Sequence, residues 1–332
     1  MSIINELIEN AKGKAKKIVY PEGSDIRVLT GAFKAKYEGI VSEAILVGDK
    51  SEIEKVAKEN SIDISDLTIV EPEKDINFNS FSDTYLEIRK HKGISLDDAK
   101  SKMKDPLNYA AMMVREGVAD GSVGGAVYTT GSVIVSAAQI LGTEEGVDVI
   151  SSSFLMVIPN YLGSGESKAL IYGDCGVNPN PNSSQLASIA YSCSKMYEKL
   201  VGGTPKVGML SFSTKGSGRH EDVSKVAEAV KLIHERYPDL QADGELQLDA
   251  AIVPAIGAKK APDSKVAGDA NVLIFPDLDA GNIGYKLTER LANADAMGPL
   301  LQGVAKPFMD LSRGCSAEDI YNVTSVAVNL AE

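Results

Sequence analysis

The stretch that decides the fold lies near the C-terminus and reads KPFMDLSRGCSAEDI, residues 306–320. Residues 307–311 have the pattern of a short strand, and a helix with apolar side chains on one face is predicted from Ser316 onward. Between them, residues 312–314 (Ser-Arg-Gly) form a turn. A turn that opens a helix offers unpaired backbone N–H groups and the positive end of the helix dipole, so this stretch predicts an anion-binding site.

The side chains of this turn and of the first helical turn suggest chemistry. Arg313 carries a planar charged group that matches phosphate or a polarised carbonyl. Ser312 can hydrogen-bond a reacting atom, and Asp319 could accept a proton. Ser316 and Asp319 also have the spacing of a capping box, and the helix dipole weakens a carboxylate as a base. From spacing alone the cap is favoured for Asp319.

Working outward, strands and helices alternate through the first part of the chain. The pattern predicts strands at 16–20, 44–47, 68–71 and 119–127, and helices at 25–38, at 50–59, from Phe81, and through Leu141. Such alternation implies a parallel sheet that is covered by helices on both faces.

The sequence pattern changes near residue 147. Serines there precede an apolar run at 154–158, which is expected to pair with 170–173. Further predicted elements are a helix along the stripe from Leu186 to Leu200, strands at 207–212, 248–253 and 272–275, and helices at 221–236 and from Tyr285. The last stretch, 306–320, is expected to return to the first domain. The prediction is an α/β protein with two three-layer α/β/α domains, mainly parallel sheets and an inter-domain cleft that holds the site; the first domain spans 1–147 plus 304–332 and the second 148–303.

Bulk properties narrow the class of protein. A chain of 332 residues suggests about two domains, and its net charge of −12 argues against nucleic acid or an anionic membrane as a partner. The three cysteines have no metal-ligand spacing, and no apolar run is long enough for a signal peptide or a membrane span. These features predict a cytoplasmic protein.

Several long motifs resemble one family. YPEG at 20–23, STKGS at 213–217, residues 265–278 and 280–286, and DLSRGCS at 310–316 are similar, in the same order, to the phosphate acetyltransferases (phosphotransacetylases). The resemblance runs nearly end to end. It implies reversible acetyl transfer between acetyl phosphate and coenzyme A, with coenzyme A as a substrate, no metal or other cofactor, and a homodimer.

The resemblance also implies roles for individual residues. Asp319 would deprotonate the coenzyme A thiol, Arg313 would steady charge on the phosphate or carbonyl oxygen, and Ser312 would hydrogen-bond the developing negative atom. The residues expected to bind substrate are Arg89, Thr129, Thr130, Lys215 and Asn282.

The chain departs from the family at one point. Thr130-Gly131-Ser132 is followed by Val135, where the family usually carries an arginine, so one expected anion contact is missing. Two alternatives therefore stay open: a phosphate butyryltransferase-like enzyme for a longer acyl group, and a non-catalytic acyl-CoA-binding regulatory relative of the kind fused to malic enzymes. A dehydrogenase is disfavoured, because no Gly-x-Gly-x-x-Gly follows an early strand.

Overall fold

A computed structural model describes residues 3–331 of the chain. The chain folds into two units. Unit 1 runs up to Glu144 and resumes at Val304, and unit 2 comprises Glu145–Gly303. The sequence predicts these boundaries at 147/148 and 303/304.

Helices and strands alternate along both units. The strands are β1 (Lys17–Tyr20), β2 (Glu43–Val47), β3 (Thr68–Val70), β4 (Gly121–Gly124), β5 (Ser151–Ile158), β6 (Lys168–Gly173), β7 (Lys206–Leu210), β8 (Gln241–Leu246), β9 (Val272–Ile274), β10 (Asp295–Gln302) and β11 (Phe308–Asp310). The helices are α1 (Ile3–Ala11), α2 (Ile26–Tyr37), α3 (Lys50–Glu59), α4 (Phe78–Arg89), α5 (Leu96–Met103), α6 (Pro106–Arg115), α7 (Thr130–Ile140), α8 (Ser183–Leu200), α9 (Glu221–Arg236), α10 (Leu248–Ile252), α11 (Pro254–Lys260), α12 (Leu278–Ala292) and α13 (Ala317–Leu330).

The sheet of unit 1 is parallel throughout, in the order β11-β4-β1-β2-β3. Its helices form two packed groups, one of α1, α2, α3 and α13 and the other of α4 to α7, and both groups contact the sheet. The apolar strands and the helices between them predict this arrangement, and the α/β fold class is confirmed.

The sheet of unit 2 is mixed, in the order β10-β5-β6-β9-β7-β8. Strand β5 pairs antiparallel with both β6 and β10, while the remaining neighbours are parallel. The predicted pairing of 154–158 with 170–173 is thus confirmed, whereas the sequence pattern does not predict β10. The predicted stripe on α8 is also confirmed, with Cys193 buried in the core.

The predicted strand at 248–253 is wrong, because Leu248–Ile252 form helix α10. The strand of this region is β8, which precedes it and pairs with β7. Its sequence, QADGEL, lacks the apolar pattern of a strand because it contains two acidic residues, and both side chains have partners elsewhere in unit 2. Asp243 pairs with Lys215, and Glu245 accepts a hydrogen bond from Ser213. A short apolar run such as LDAAI does not distinguish strand from helix.

The predicted start of a helix at Tyr285 is also wrong, since α12 begins at Leu278. Asp277 caps it by accepting a hydrogen bond from the Ala280 amide at 2.9 Å. Gly281 lies inside this helix. The position requires a glycine because a Cβ atom there would be 2.2 Å from the carbonyl oxygen of Asp174. The glycine therefore serves close packing, and Asn282 lies on a helix instead of in a loop.

The carboxyl ends of β1, β4 and β11 lie side by side at one edge of the unit 1 sheet, because these strands are parallel neighbours. Each is followed by a turn that opens a helix: 21–25 before α2, 125–129 before α7 and 311–316 before α13. In open parallel sheets this edge is the usual place for a ligand. The fold thus brings three turns together that are far apart in the sequence.

Candidate active site

The turn after β11 presents two exposed polar side chains, Ser312 and Arg313. The backbone of the turn is closed by a hydrogen bond from Cys315 N to Ser312 O at 2.9 Å, and Gly314 N donates to Ser312 Oγ at 3.3 Å. Within residues 3–331 the guanidinium group of Arg313 has no hydrogen-bond or ion-pair partner. It is therefore available to an anion from solvent.

Helix α13 starts with the capping box that the sequence predicts. Both N and Oγ of Ser316 donate to Oδ2 of Asp319 at 2.8 Å, and the Asp319 amide donates to Ser316 Oγ at 3.1 Å. The capping interpretation of Asp319 is confirmed. These bonds use only Oδ2 of an exposed carboxylate, so Oδ1 is not committed to the cap and the role of general base stays a prediction.

A buried carboxylate, Glu22, organises the turn after β4. Its Oε2 accepts hydrogen bonds from the amides of Gly125 and Ala126 at 3.0 and 2.9 Å, and its Oε1 from those of Val127 and Tyr128 at 2.7 Å each. The side chain is only 7% exposed. The amides of this loop, which could otherwise cradle a phosphate, thus already hold an anion that belongs to the protein.

Arg27 links the turn after β4 to the turn after β11. Its Nη1 donates to the carbonyl oxygens of Arg313 at 2.7 Å and Cys315 at 3.2 Å, and its Nη2 donates to that of Ala126 at 2.9 Å. Neither Arg27 nor Glu22 is among the site residues that the sequence predicts. The only signal in the sequence is YPEG at 20–23, which is part of the resemblance but suggests no role for Glu22.

Asp310, the last residue of β11, lies beneath these turns and is 1% exposed. Burial raises the pKa of its carboxyl group to about 7, and the nearby Glu22 adds to the rise, while the Thr130 hydroxyl and the Leu311 amide oppose it. Neither of these donors approaches Oδ1 or Oδ2 of Asp310 with hydrogen-bond geometry. Asp310 is therefore a buried carboxyl group at the base of the site that keeps its proton to a higher pH than an ordinary aspartate does.

The cysteines are poor nucleophiles. All three are buried and free of disulfides. Burial raises the pKa of the Cys315 thiol, although the charge of Arg27 opposes the rise; burial also raises the pKa of Cys193 to about 12 and that of Cys175 well above its ordinary value. A thiol that keeps its proton is a weak nucleophile, so Cys315 has no direct chemical role at this site.

Three predicted substrate-binding residues lie in unit 1. Thr129 is the N-cap of α7, where its Oγ1 accepts from the Ser132 amide at 3.2 Å, and Thr130 lies beside Asp310. Arg89 is the last residue of α4, and its guanidinium group has no hydrogen-bond or ion-pair partner in the described part of the chain. Thr129 and Thr130 lie at the same sheet edge as Ser312 and Arg313, whereas the contacts of Arg89 do not link it to these turns.

The other two predicted binding residues lie in unit 2, after the carboxyl ends of the neighbouring strands β7 and β9. Lys215 forms an ion pair with Asp243 through Nζ and donates to the carbonyl oxygen of Gly244 at 2.9 Å. The amide group of Asn282 donates to the carbonyl oxygen of Cys175 at 3.2 Å. Both side chains already have partners within the protein.

Residues 3–331 contain neither a metal-binding cluster nor a membrane-spanning helix. No group of three or more His, Cys, Asp or Glu side chains in this range is arranged to hold a metal ion. None of its helices combines the length and apolarity that crossing a membrane requires.

A family model and several relatives match the chain over nearly its whole length. The family model for phosphate acetyl/butaryl transferases matches residues 2–328. The phosphate acetyltransferase of Clostridium acetobutylicum is 47% identical over 332 residues, which cover 100% of this chain and 99% of the relative. That of Bacillus subtilis is 41% identical and covers 96% and 95% of the two chains.

A solved structure agrees. The phosphotransacetylase from Streptococcus pyogenes superimposes with a TM-score of 0.93 and 42% identity, covering 99% of this chain and 98% of that one. The likeness thus extends along nearly the whole length, in sequence and in fold. The chain belongs to the phosphate acetyl/butaryl transferase family.

Proposed function

We propose that the protein is an acyltransferase that moves an acetyl group reversibly between coenzyme A and inorganic phosphate. Relatives that match all or nearly all of the chain are named phosphate acetyltransferases. The structural observation that carries the proposal is the exposed, unpaired Arg313 beside Ser312 at the carboxyl edge of a parallel sheet in the described part of the chain. An unpaired guanidinium group at such an edge suits a phosphate that enters or leaves.

In the direction of thioester synthesis, the coenzyme A thiol loses its proton to Asp319. The thiolate attacks the acetyl carbonyl carbon, which forms the S–C bond, and the C–O bond to phosphate then breaks with its electron pair on the departing phosphate. Arg313 balances the negative charge on the phosphate or carbonyl oxygen, and Ser312 donates a hydrogen bond to it. The proton held by Asp319 finally passes to phosphate or solvent.

The thiol needs this help because its ordinary pKa near about 8.5 leaves only a minority ionised at neutral pH. Asp319 can serve as base while Oδ2 caps the helix, since Oδ1 is free of the capping box. Arg89, Thr129, Thr130, Lys215 and Asn282 are proposed to hold the substrates. For Lys215 this requires its ion pair with Asp243 to open or to be shared.

No cofactor beyond the substrate coenzyme A is part of this proposal, and the acyl group needs no metal activation when Arg313 and Ser312 supply the charge and the hydrogen bond. A cytoplasmic location is proposed from the three free cysteines.

A homodimer is proposed from the surface of α12. Ile283, Leu287 and Leu291 follow one another at intervals of four residues and are 57%, 53% and 79% exposed. Such a stripe on a helix is costly in water and is typical of an interface. Light scattering after size exclusion should give the mass of two chains for the native protein and of one chain for Leu287→Glu.

The activity is tested by following thioester absorbance with coenzyme A and acetyl, propionyl or butyryl phosphate in turn. The proposal expects the highest kcat/KM with acetyl phosphate. Preference for butyryl phosphate would favour the longer-chain alternative, and turnover of none of the three would favour a non-catalytic acyl-CoA-binding protein.

A further inference from the structure

Arg27 stands at the start of α2, where its own helix cap fixes its side chain. Asp25, the N-cap residue, accepts a hydrogen bond from the Arg27 amide at 2.9 Å. The same carboxylate binds the guanidinium group through Nε to Oδ1 at 3.0 Å and Nη2 to Oδ2 at 2.8 Å. This two-point contact sets both the position and the plane of the guanidinium group.

The other guanidinium N–H groups reach backbone carbonyls of two other turns. Nη1 donates to Arg313 O and Cys315 O, and the second N–H of Nη2 donates to Ala126 O. A guanidinium group has five N–H donors, and together with the two contacts to Asp25 all five are used. No other side chain could supply this set of contacts from one planar group.

One of these contacts falls on the backbone of Arg313 itself. The Arg313 side chain is exposed and has no hydrogen-bond or ion-pair partner in residues 3–331, so the position of its backbone sets the space that the guanidinium group can reach. Two further hydrogen bonds of the turn lie within the turn. The contacts from Arg27 join the 312–315 turn to helix α2. Through Ala126 they also join this turn to the loop that Glu22 organises.

We propose that Arg27 is a positioning residue for the acyl transfer: held in plane by Asp25, it fixes the backbone of the 312–315 turn so that Arg313 and Ser312 meet the reacting group. The inference rests on the proposed function, in which Arg313 balances charge in the reaction. Lysine cannot replace Arg27, because an ammonium group has three donors and no fixed plane.

The test is a set of variants whose kcat and KM are measured with acetyl phosphate and coenzyme A. Arg27→Lys keeps the charge but loses the planar contacts, so kcat should fall about 10- to 100-fold, the size of loss that a displacement near 1 Å produces, with a much smaller change in KM. Circular dichroism and thermal melting check that the fold is intact.

The double variant Arg27→Lys/Arg313→Ala separates positioning from general stability. If Arg27 acts through Arg313, then Arg27→Lys should cost less than about threefold in kcat once Arg313 is absent, because coupled residues are not additive. An equal loss in both backgrounds, or a normal kcat for Arg27→Lys alone, overturns the inference.

A matched control and a second route keep the test decisive. Arg236→Lys changes another partly exposed arginine, one that pairs with Asp148 and Ser184, and should leave kcat unchanged. If Arg27→Lys does not fold, Asp25→Asn retains a capping side chain but releases the guanidinium plane, and should give the same pattern at smaller size. Its normal kcat would then overturn the inference, whereas a wild-type protein without turnover would overturn the proposed function and this inference with it.

Discussion

A Cβ atom on Gly125 would lie 2.3 Å from Oδ1 of Asp310. Gly125 also has a φ angle of +104°, which side-chain-bearing residues rarely adopt. The glycine therefore lets the turn after β4 approach the end of β11 while its amide donates to Glu22. The closeness of these two residues explains why the two turns can form one site.

Gly125→Ala should destabilise the protein by about 1–3 kcal/mol, because the alanine is strained at this φ and displaces the Asp310 carboxyl group. The free energy of unfolding from urea denaturation measures the effect. Gly131→Ala is the control, since the nearest heavy atom to a Cβ there is 3.9 Å away. A loss in Gly125→Ala no larger than in the control would contradict this close packing of Gly125 on Asp310.

Asp310 should make stability depend on pH in an unusual direction. Its pKa in the folded protein is about 7, above the value of 3.8 expected when unfolded, so the unfolded chain releases the proton first. The contribution of Asp310 to the free energy of unfolding is thus greatest below about pH 4 and falls by up to about 4 kcal/mol as the pH rises to about 7. The free energy of unfolding of the wild type and of Asp310→Asn is measured at about pH 5 and pH 7.5. The wild type should lose more stability than the variant between the lower and the higher pH. A difference that stays constant across this window would rule out the raised pKa.

Arg313→Ala should lose about 2–4 kcal/mol of transition-state stabilisation, because it removes a preorganised charge from the reacting group. Its melting temperature should hardly change, since the side chain has no partner within residues 3–331. Arg290→Ala removes another exposed arginine and should keep full turnover. Nearly normal turnover in Arg313→Ala would make Arg313 an ordinary surface residue.

Asp319→Asn should reduce kcat about 100-fold or more at neutral pH, and a higher pH should restore part of it by ionising the thiol directly. Loss of the capping contact alone should cost no more than about 1 kcal/mol of stability. Asp98→Asn is a matched control, because Asp98 forms the same capping box with Ser95 at the start of α5. Equal kinetic effects in the two variants, both close to wild type, would assign Asp319 to the helix cap alone.

Val135→Arg should lower KM for an anionic substrate if a positive charge at this point of α7 reaches it. Val135 is 52% exposed, so the longer side chain has room. Val135→Gln adds length without charge and should leave KM unchanged. An unchanged KM for both substrates in Val135→Arg would indicate that another basic residue already supplies this contact.

The parallel sheet of unit 1 was predictable because most of its strands are short apolar runs between amphipathic helices, although β4 reads GSVG. Strand β8 was not predictable, because its acidic residues have partners that only the fold brings near. Asp243 forms an ion pair with Lys215, and Glu245 accepts a hydrogen bond from the Gly216 amide. The start of α12 escapes prediction for a similar reason, since Gly281 looks like a helix terminator until Asp174 is seen against it.

The candidate site divides in the same way. Ser312, Arg313 and Asp319 stand within one short motif and could be picked out from the sequence. Glu22 contacts amides 103 to 106 residues away, and Arg27 contacts a carbonyl 286 residues away. Contacts across such separations leave no local pattern, so supporting residues of this kind emerge only from the structure.

The Glu22 carboxylate occupies the amides at 125–128 in the way that a bound anion would. Because its carboxylate fills the loop at 125–128 when the chain folds, the conformational entropy of ordering that loop is lost during folding and not when substrate binds. The loop is consequently expected to have one shape in the empty and the occupied enzyme. The negative charge of Glu22 also keeps a second anion off the amides at 125–128, which leaves the open guanidinium group of Arg313 as the cation that an incoming phosphate meets.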